Sequence, residues 1–336
     1  MKTQVTIYDI ARHLNISKST VSRALTGHPN INSETRRSVL DLAEKMDYQR
    51  NTLSISLIKN KTYTIGVLVP EFSTSFYPQV VAEVQRVAAE AGYNIVISLS
   101  NDCYETEVAN AAMLLSRKVD GLLVSLSNQT QNFDHLKKFQ RRGIPVVLLN
   151  SVCNELLMPR VMVNDYDASF KAVEYLIRSG KQRISHLAGP GTSAVNQRRL
   201  SGYLDALKKN GLPVREELII PYDLKLNKVK IYVRYLLNLP QAADAIFAVN
   251  DPSAIEAIKA IKSLGLRVPE DMAVIGFGNN YGAECTEPGL TTLNHPVAEM
   301  GRSAINLLLQ MVQDDASKWR AITKSLEAQL IVRGSA

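Results

Sequence analysis

Residues 5–25 read VTIYDIARHLNISKSTVSRAL, and the spacing of their apolar side chains decides the fold of this end of the chain. The first apolar set recurs at the i, i+3, i+4, i+7 spacing of a helix with one buried face: Ile7, Ile10, Ala11 and Leu14. The pattern breaks at residues 15–16, and a second helical face follows with Val21, Ala24 and Leu25. Two short helices joined by so tight a turn form a helix-turn-helix.

Residues that favour helix starts stand where these segments begin. Thr6 precedes the first helix, and Asp9 follows three residues later, as in a capping box. Ser17 is a suitable cap for the second helix. A third helix is predicted from Asn32 or Ser33, with an inward face of Val39, Leu40, Ala43 and Met46. The first 47 residues are therefore predicted to form an all-helical domain.

Positive charge is concentrated in this N-terminal region. Residues 1–61 hold ten Lys/Arg against five Asp/Glu, a net charge of +5, whereas the other 275 residues account for +2 of the total of +7. The outward residues of the second helix are hydroxyls and cations: Lys18, Ser19, Thr20, Ser22 and Arg23. Such a face fits a DNA major groove. A solvated charged surface has the same composition, so charge alone leaves both interpretations open.

Three motifs together resemble the N-terminal domain of the LacI/GalR repressor family. They are VTIYDIA at 5–11, SKSTVSRAL at 17–25 and TRR at 35–37. The resemblance implies that Lys18, Ser19 and Arg23 face base edges. It also implies that phosphates are held by Thr6, Tyr8, Ser17, Thr20, Ser22 and Thr35.

Residues 48–57, YQRNTLSISL, resemble the hinge of the same family. In that family a short helix forms here on operator DNA, and a leucine enters the minor groove and kinks the duplex. The resemblance assigns DNA contacts to Asn51 and Leu57, although Leu57 is also interpretable as an ordinary apolar linker residue. The segment departs from the family pattern, with Arg50 for a common proline, Ser54 for alanine and Ile55 for arginine. Serine and isoleucine favour an isolated helix less than alanine and arginine do.

Short apolar runs separated by helical lengths fill the rest of the chain. They lie at 64–69, 93–98, 120–125, 144–149, 184–188, 245–249 and 272–277. This alternation predicts βαβ units with parallel sheets. The order resembles the type I periplasmic-binding-protein fold, in which three crossovers join two α/β subdomains around a cleft. The crossovers are expected near 163–165, 293–295 and 321–324.

The predicted architecture is an all-α helix-turn-helix head followed by an α/β periplasmic-binding-protein-like domain of two parallel-sheet subdomains. The expected domains are a DNA-binding head at 1–47, a hinge at 48–62 and an effector-binding and dimerisation domain at 63–336. The N-subdomain is expected at about 63–163 and 295–321. The C-subdomain is expected at about 165–293 and 324–336.

Candidate effector-binding residues follow the predicted strands, because parallel sheets bind ligands at the carboxyl ends of their strands. The resemblance assigns this role to Phe76, Tyr77, Asn150, Arg199, Asn250, Asp251 and Asn279. Two carboxylates that are usual in the family are replaced, by Asn150 and Gly278. A cleft with Arg199 and amides suits an acidic or phosphorylated sugar. A neutral sugar held by amides is equally compatible, and a surface salt bridge is the alternative role for Arg199.

The sequence lacks the motifs of several other kinds of site. The three cysteines, Cys103, Cys153 and Cys285, fit no zinc or disulfide spacing. The five histidines show no metal spacing, and the Gly189–Ala194 loop places Pro190 where a dinucleotide loop needs a backbone amide. No apolar run approaches the roughly 18 residues of a membrane helix, and the N-terminus lacks a signal-peptide core. We therefore expect a cytoplasmic protein without metal, cofactor, membrane association or enzymatic activity.

The predicted function is a ligand-responsive transcription regulator, a repressor of genes for carbohydrate or sugar-acid utilisation. Its expected partners are double-stranded operator DNA and a sugar or sugar derivative. A homodimer on a pseudo-palindromic operator is expected, because one recognition helix reads too few base pairs. The alternatives are a cytoplasmic sugar-binding protein, an enzyme of sugar metabolism with an incidental basic head, and a regulator that answers to a protein partner.

Overall fold

The computed structural model describes residues 5–48, 61–150 and 155–336. The chain divides into two compact units, Met1–Thr62 and Tyr63–Ala336. The predicted hinge contacts Asn51 and Leu57 lie outside the described residues.

Helices form the described part of the first unit: α1 (Ile7–His13), α2 (Lys18–Leu25) and α3 (Ser33–Lys45). Their starts are capped by side chains. The Asp9 carboxylate accepts hydrogen bonds from the backbone N–H (2.9 Å) and the hydroxyl (2.7 Å) of Thr6. The Ser17 hydroxyl accepts from the Thr20 N–H at 3.1 Å, and the Asn32 side chain accepts from the Glu34 N–H at 2.9 Å. These bonds satisfy amides that a helix N-terminus leaves unpaired.

One side of each helix forms the core of this unit, which consists of Ile10, Ala11, Val21, Ala24, Val39 and Ala43. The predicted inward position of Leu40 is wrong, because its side chain is 43% exposed. Val39 and Ala43 are four residues apart and share the buried face of α3. Leu40 follows Val39 by one helical step of about 100°, which turns it away from that face.

The second unit alternates strands and helices. Its strands are β1 (Thr64–Val69), β2 (Asn94–Leu99), β3 (Gly121–Val124), β4 (Val146–Leu149), β5 (Arg160–Val163), β6 (Ile184–Ala188), β7 (Ile219–Pro221), β8 (Ala245–Ala248), β9 (Ala273–Gly278), β10 (Thr291–Asn294), β11 (Thr323–Leu326) and β12 (Gln329–Ile331). Its helices are α4 (Phe76–Glu90), α5 (Tyr104–Ser116), α6 (Asp134–Arg141), α7 (Asp165–Arg178), α8 (Ala194–Lys209), α9 (Val229–Leu237), α10 (Asp251–Ser263), α11 (Gly282–Cys285) and α12 (Val297–Gln313).

These strands form two six-stranded sheets within the described residues. The first has the order β11-β5-β4-β3-β1-β2 and is parallel throughout. The second has the order β12-β10-β9-β8-β6-β7 and is parallel except for the β10–β12 pair. Together with the helical head, this arrangement confirms the predicted fold class.

Strand β1 shows why the sequence runs are continuously apolar. Ile65, Val67 and Val69 belong to one buried cluster, whereas Leu68 belongs to another on the opposite face of the sheet. Helices cover both faces of a parallel sheet, so every position along its central strands is buried. An uninterrupted apolar run is therefore typical of such a strand.

The chain passes between the two sheets at three places. It leaves the first sheet after β5, which ends at Val163, and returns after β10, which ends at Asn294. The third passage, predicted at 321–324, lies instead at 326–329, because β11 still belongs to the first sheet. The predicted subdomain limits of 321 and 324 are therefore corrected to 326 and 329.

Strand β11 is an edge strand without an apolar run, so the sequence pattern does not reveal it. Thr323, Lys324 and Ser325 are exposed, and only Leu326 is buried. Backbone hydrogen bonds fix the strand beside β5, from the Arg160 N–H to the Ile322 oxygen and from the Asn164 N–H to the Leu326 oxygen, each 2.8 Å. Backbone pairing of this kind produces no hydrophobic periodicity in the sequence.

Gly202 allows the close packing of α8 against α7. A Cβ atom at this position would meet the carbonyl oxygen of Tyr166 and the backbone nitrogen of Phe170. Gly202→Ala is expected to lower the free energy of unfolding by about 1–3 kcal/mol, because backbone atoms cannot move aside as a flexible side chain can. Urea unfolding of the full chain measures this change.

Gly191→Ala is the matched control, since a Cβ there meets nothing within 4 Å. Equal stability of the two variants would contradict the close approach at Gly202.

Candidate functional site

The outer surface of α2 presents polar side chains close together. Lys18, Ser19 and Arg23 are exposed, and Thr20 and Ser22 are half-buried. The Ser17 hydroxyl lies 2.7 Å from the Ser19 hydroxyl and 2.8 Å from that of Thr20. Among the described residues Arg23 forms no ion pair with a carboxylate, so its guanidinium donors are available to another molecule.

Helix α1 places further candidates beside this surface. The Lys18 ammonium donates to the Tyr8 hydroxyl at 3.2 Å and lies 5.2 Å from the centre of its ring. Thr6 is exposed at the start of α1, where its hydrogen bonds hold the pKa of the Asp9 carboxyl below its ordinary value. Thr35 is half-buried in the first turn of α3. The predicted contacts thus lie at helix starts or on the open face of α2.

This surface has the chemistry of a groove-binding element. A recognition helix enters the major groove with its N-terminal residues, and hydroxyls and cations around it contact phosphates. Arginine can donate two hydrogen bonds to a guanine edge. The exposed Arg23 and the hydroxyl-rich start of α2 supply both kinds of contact.

A cavity of about 180 Å³ lies at the strand ends of the second unit, lined by residues from both subdomains. Five of the predicted effector residues line it: Phe76, Tyr77, Asn150, Arg199 and Asn250. The Ser75 hydroxyl donates to the Asn280 side-chain oxygen at 2.5 Å and thereby joins the two subdomains across the cleft.

Asp251 and Asn279 do not line this cavity. The Asp251 carboxylate is fully buried and accepts from the Thr292 hydroxyl (2.5 Å) and the Asn280 N–H (2.6 Å). The Asn279 amide donates to Asn294 at 3.1 Å and accepts from Arg333 at 2.9 Å. The structure therefore gives both residues roles in supporting the strand ends.

Other lining residues were missed in the sequence, among them Asn128, Asn196, Asn280 and His295. Of these residues, Asn280 could have been predicted from the sequence, because it follows the end of β9 by two residues. Gly278 (φ +134°) and Asn279 (φ +52°) both adopt positive φ, so the chain turns before Asn280. This turn brings Asn280, rather than Asn279, to the cavity.

Arg199 is buried and already has partners. Its Nε and Nη2 each lie 2.8 Å from Asp165 Oδ1, and Nη1 donates to the Val249 carbonyl oxygen at 2.5 Å. Its guanidinium also stacks 3.6 Å from the centre of the Phe277 ring. The predicted alternative of a surface salt bridge is wrong, since the Asp165 side chain is 0% exposed and that of Arg199 only 7%. The pair is neutral overall and keeps unused N–H donors.

Aromatic and amide groups form the walls beside this ion pair. The buried Tyr77 hydroxyl bonds to the Ser125 hydroxyl at 2.8 Å, and burial raises the pKa of Tyr77 to about 12. The His295 ring lies 4.8 Å from that of Phe76 and 4.9 Å from that of Phe277. Burial and the nearby arginine hold the pKa of His295 well below its ordinary value, so its imidazole is neutral.

Two buried polar atoms at the cavity have no hydrogen-bond partner in the described structure. They are Asn150 Oδ1 and His295 Nδ1. Buried polar atoms in proteins are nearly always satisfied by protein, water or a bound molecule. The cavity is therefore suited to a ligand that carries hydrogen-bonding groups.

Two other kinds of site are absent from the residues that the structure describes. No group of three or more His, Cys, Asp or Glu side chains is placed to hold a metal ion. In the same residues, no helix combines the length and the apolarity needed to cross a membrane.

Comparison with known proteins supports this two-part organisation. Residues 6–51 match the profile of bacterial regulatory proteins of the lacI family, and residues 173–336 match that of the periplasmic binding protein-like domain. The structure is similar to that of the Lac repressor dimer bound to operator and the anti-inducer ONPF. That match has a TM-score of 0.88 and 25% identity, and it covers 99% of both chains.

Curated relatives are similar over nearly the whole length. The catabolite control protein A of Priestia megaterium is 32% identical over 312 residues, which cover 93% of each chain. The transcriptional repressor CytR of Escherichia coli K12 is 31% identical over 334 residues, which cover 99% of this chain and 97% of CytR. The predicted resemblance is therefore confirmed, and the chain belongs to the LacI family of bacterial regulatory proteins.

Proposed function

We propose that this protein is a ligand-responsive transcription repressor that binds operator DNA through its helical head. The observation that carries the proposal is the exposed, hydroxyl-rich face of α2 in a chain that also holds a polar cleft. On this face Arg23 forms no ion pair with any carboxylate of the described residues. In the Lac repressor structure, operator DNA and a small anti-inducer are bound by one protein of the same architecture.

On the DNA, Lys18, Ser19 and Arg23 read base edges. Phosphates are held by Thr6, Tyr8, Ser17, Thr20, Ser22 and Thr35, and the hinge contributes Asn51 and Leu57. We assign residues 1–47 to the DNA-binding head, 48–62 to the hinge and 63–336 to the effector and dimerisation domain. Phosphate contacts fix the position of a protein on DNA, and base contacts give its sequence preference.

In the cleft, the ligand is a polar, sugar-like molecule. Amides from both subdomains line the cavity, namely Asn150, Asn250 and Asn280, and amides bind hydroxyl groups as donors and as acceptors. Arg199 contributes its unused N–H groups as the main anchor, with Phe76 and Tyr77 as the wall. Behind the cavity, Asp251 holds the chain at Asn280, and Asn279 bonds to Asn294 and Arg333.

The switch is a change in the arrangement of the two subdomains. A ligand shifts an equilibrium only by binding one arrangement more tightly than the other. The Ser75–Asn280 hydrogen bond spans the cleft, so ligand contacts there bear directly on its closure. In a homodimer, this change alters how the paired heads meet the half-sites of a pseudo-palindromic operator. Operator DNA and ligand then alter each other's affinity by the same factor.

Arg23→Ala tests the DNA-binding proposal. The variant is expected to lose about 1–3 kcal/mol of binding free energy on the duplex that the unmodified chain selects from a random pool. Its loss on unselected DNA is expected to be much smaller, because a base contact discriminates between sequences. Gel-shift titrations at fixed salt measure both affinities, since salt changes the phosphate contribution.

Arg178→Ala is the control, because Arg178 is an exposed arginine in the second unit that pairs with Glu174 at 3.4 Å. An equal loss on selected and unselected DNA would make Arg23 a phosphate contact. Failure of the unmodified chain to select any sequence would refute the proposed function.

A further inference from the structure

The ligand cleft holds a second and larger cavity beside the first. The first has a volume of about 180 Å³ and the second about 620 Å³. Leu126, Asn128 and Ser193 line both cavities, so the two are adjacent. Small-molecule sites in proteins usually have volumes of about 300–1,000 Å³. A ligand that is held only in the first cavity would be unusually small, and the space available to it extends into the second.

The two cavities differ in charge. In the first, the Arg199 guanidinium is balanced by the buried Asp165 carboxylate at 2.8 Å. The polar lining around this pair includes the amides of Asn150, Asn250 and Asn280. It also includes the Glu71 carboxylate, which accepts hydrogen bonds from Ser73 and Thr74. This part of the cleft therefore suits neutral hydroxyl groups.

The second cavity is lined by Arg198, whose guanidinium is half-buried. Its Nη1 lies 3.5 Å from the sulfur of Met162, and within the described ranges no carboxylate lies within 4 Å of its nitrogens. Glu155 also lines the cavity, and its side chain is exposed. Burial and the charge of Arg160 lower the pKa of Arg198 from its ordinary value, while the charge of Asp165 acts in the opposite direction. An anion beside Arg198 would offset the effects of burial and of Arg160.

We propose that the second cavity is an anion subsite, in which Arg198 pairs with a carboxylate or phosphate of an extended, two-unit saccharide. The neutral hydroxyls of the same molecule occupy the first cavity. This inference rests on the proposed function and specifies the class of its ligand. The guanidinium is already partly removed from water, so pairing costs less further desolvation, and arginine can bind either anion with two parallel hydrogen bonds.

The proposal is tested with one-unit and two-unit saccharides, each in a neutral, a carboxylate and a phosphate form. The neutral two-unit probes are cellobiose, xylobiose and maltose. The two-unit carboxylates are digalacturonate and cellobionate, and the two-unit phosphates are trehalose 6-phosphate and sucrose 6-phosphate. The one-unit probes are glucose, glucuronate and glucose 6-phosphate. Thermal shifts of the full-length protein identify binders, because a ligand raises apparent stability by mass action, and calorimetry then gives their affinities.

The tightest binders are expected among the anionic two-unit probes. Comparing the affinities of the carboxylate and phosphate probes shows which of the two anions the site prefers. Arg198→Gln is expected to weaken their binding by about tenfold to a hundredfold, the range expected for losing a charged hydrogen bond. Arg198→Lys keeps the charge and is expected to retain part of the affinity. Arg178→Gln, at an exposed arginine far along α7, is the control and should leave all affinities unchanged.

Two results would overturn the anion subsite while leaving the proposed function intact. One is a neutral saccharide that binds most tightly and shifts DNA affinity. The other is an anionic probe whose affinity is the same in Arg198→Gln as in the unmodified chain. Binding of no probe in either series would count against the subsite and against the sugar-like effector together, whereas the selected-DNA titrations would still report on the head.

Discussion

Replacing Arg199 with methionine is expected to abolish the ligand response and to lower the free energy of unfolding by about 3–5 kcal/mol. The Asp165 carboxylate is fully buried, and Arg199 is its charged partner at 2.8 Å. Burial alone raises the pKa of Asp165, and the Arg199 charge opposes that shift. Without Arg199, the buried Asp165 carboxylate loses the charged partner to which it is hydrogen-bonded. Urea unfolding and calorimetric ligand titration measure the two effects separately.

A double variant, Arg199→Met with Asp165→Leu, separates stability from binding. Replacing a buried ion pair by apolar residues of similar volume is often neutral or stabilising, so the double variant is expected to recover most of the lost stability. It is not expected to recover ligand affinity, because the N–H donors that face the cavity are gone. DNA binding in the absence of ligand should persist in the double variant. A ligand-dependent change in the DNA affinity of this variant would contradict the anchor role of Arg199.

The sequence predicts the helical head well because its determinants are local. Thr6, Ser17 and Asn32 stand at the helix starts, and the apolar spacing separates Val21 and Ala24 from the exposed Arg23. Capping and periodicity act within one or two turns, so no tertiary information is needed. Leu40 is the exception, since an apolar residue at the edge of a helical face is compatible with either side.

The cleft was predicted less completely, because its chemistry depends on residues distant in the chain. The family resemblance assigns Asn150 and Asn250 to the cleft, and both residues follow predicted strands. The partner that neutralises Arg199 is Asp165, 34 residues away, and only the packing of α8 on α7 brings them together. Whether an arginine is free or paired therefore cannot be deduced from its position in a motif. The same limit applies to β11, whose position is set by pairing with β5.

A decrease in stability with acid is the second large effect, and the buried His186 is one of its sources. Its side chain is fully buried in β6, between the rings of Tyr203 (5.2 Å) and Phe247 (4.9 Å). The Nδ1 atom lies 2.9 Å from the Phe247 carbonyl oxygen and donates to it, and Nε2 has no partner in the described structure. Burial lowers the pKa of His186 from 6.5 to about 4. The folded protein therefore holds this imidazole in its neutral form.

Between pH 6.5 and 4, the unfolded chain binds a proton at His186 that the folded chain does not. Stability rises with pH wherever the unfolded state binds more protons, so the free energy of unfolding should fall as the pH is lowered through this range. The loss attributable to His186 is about 3 kcal/mol at pH 4, from 1.36 kcal/mol per pKa unit. The lowered pKa of His295 acts in the same direction, whereas the raised pKa values of the buried Asp165 and Asp251 act in the opposite one.

His186→Phe isolates the contribution of this one residue. Phenylalanine keeps an aromatic ring between Tyr203 and Phe247 and removes the titrating group. It also leaves the Phe247 carbonyl without its donor, which lowers stability by an amount that does not depend on pH. Urea unfolding at a series of pH values should therefore give a shallower slope for the variant between pH 6.5 and 4. Parallel curves for the two proteins would show that His186 is protonated in the folded state, because only a neutral buried imidazole produces the difference in proton uptake.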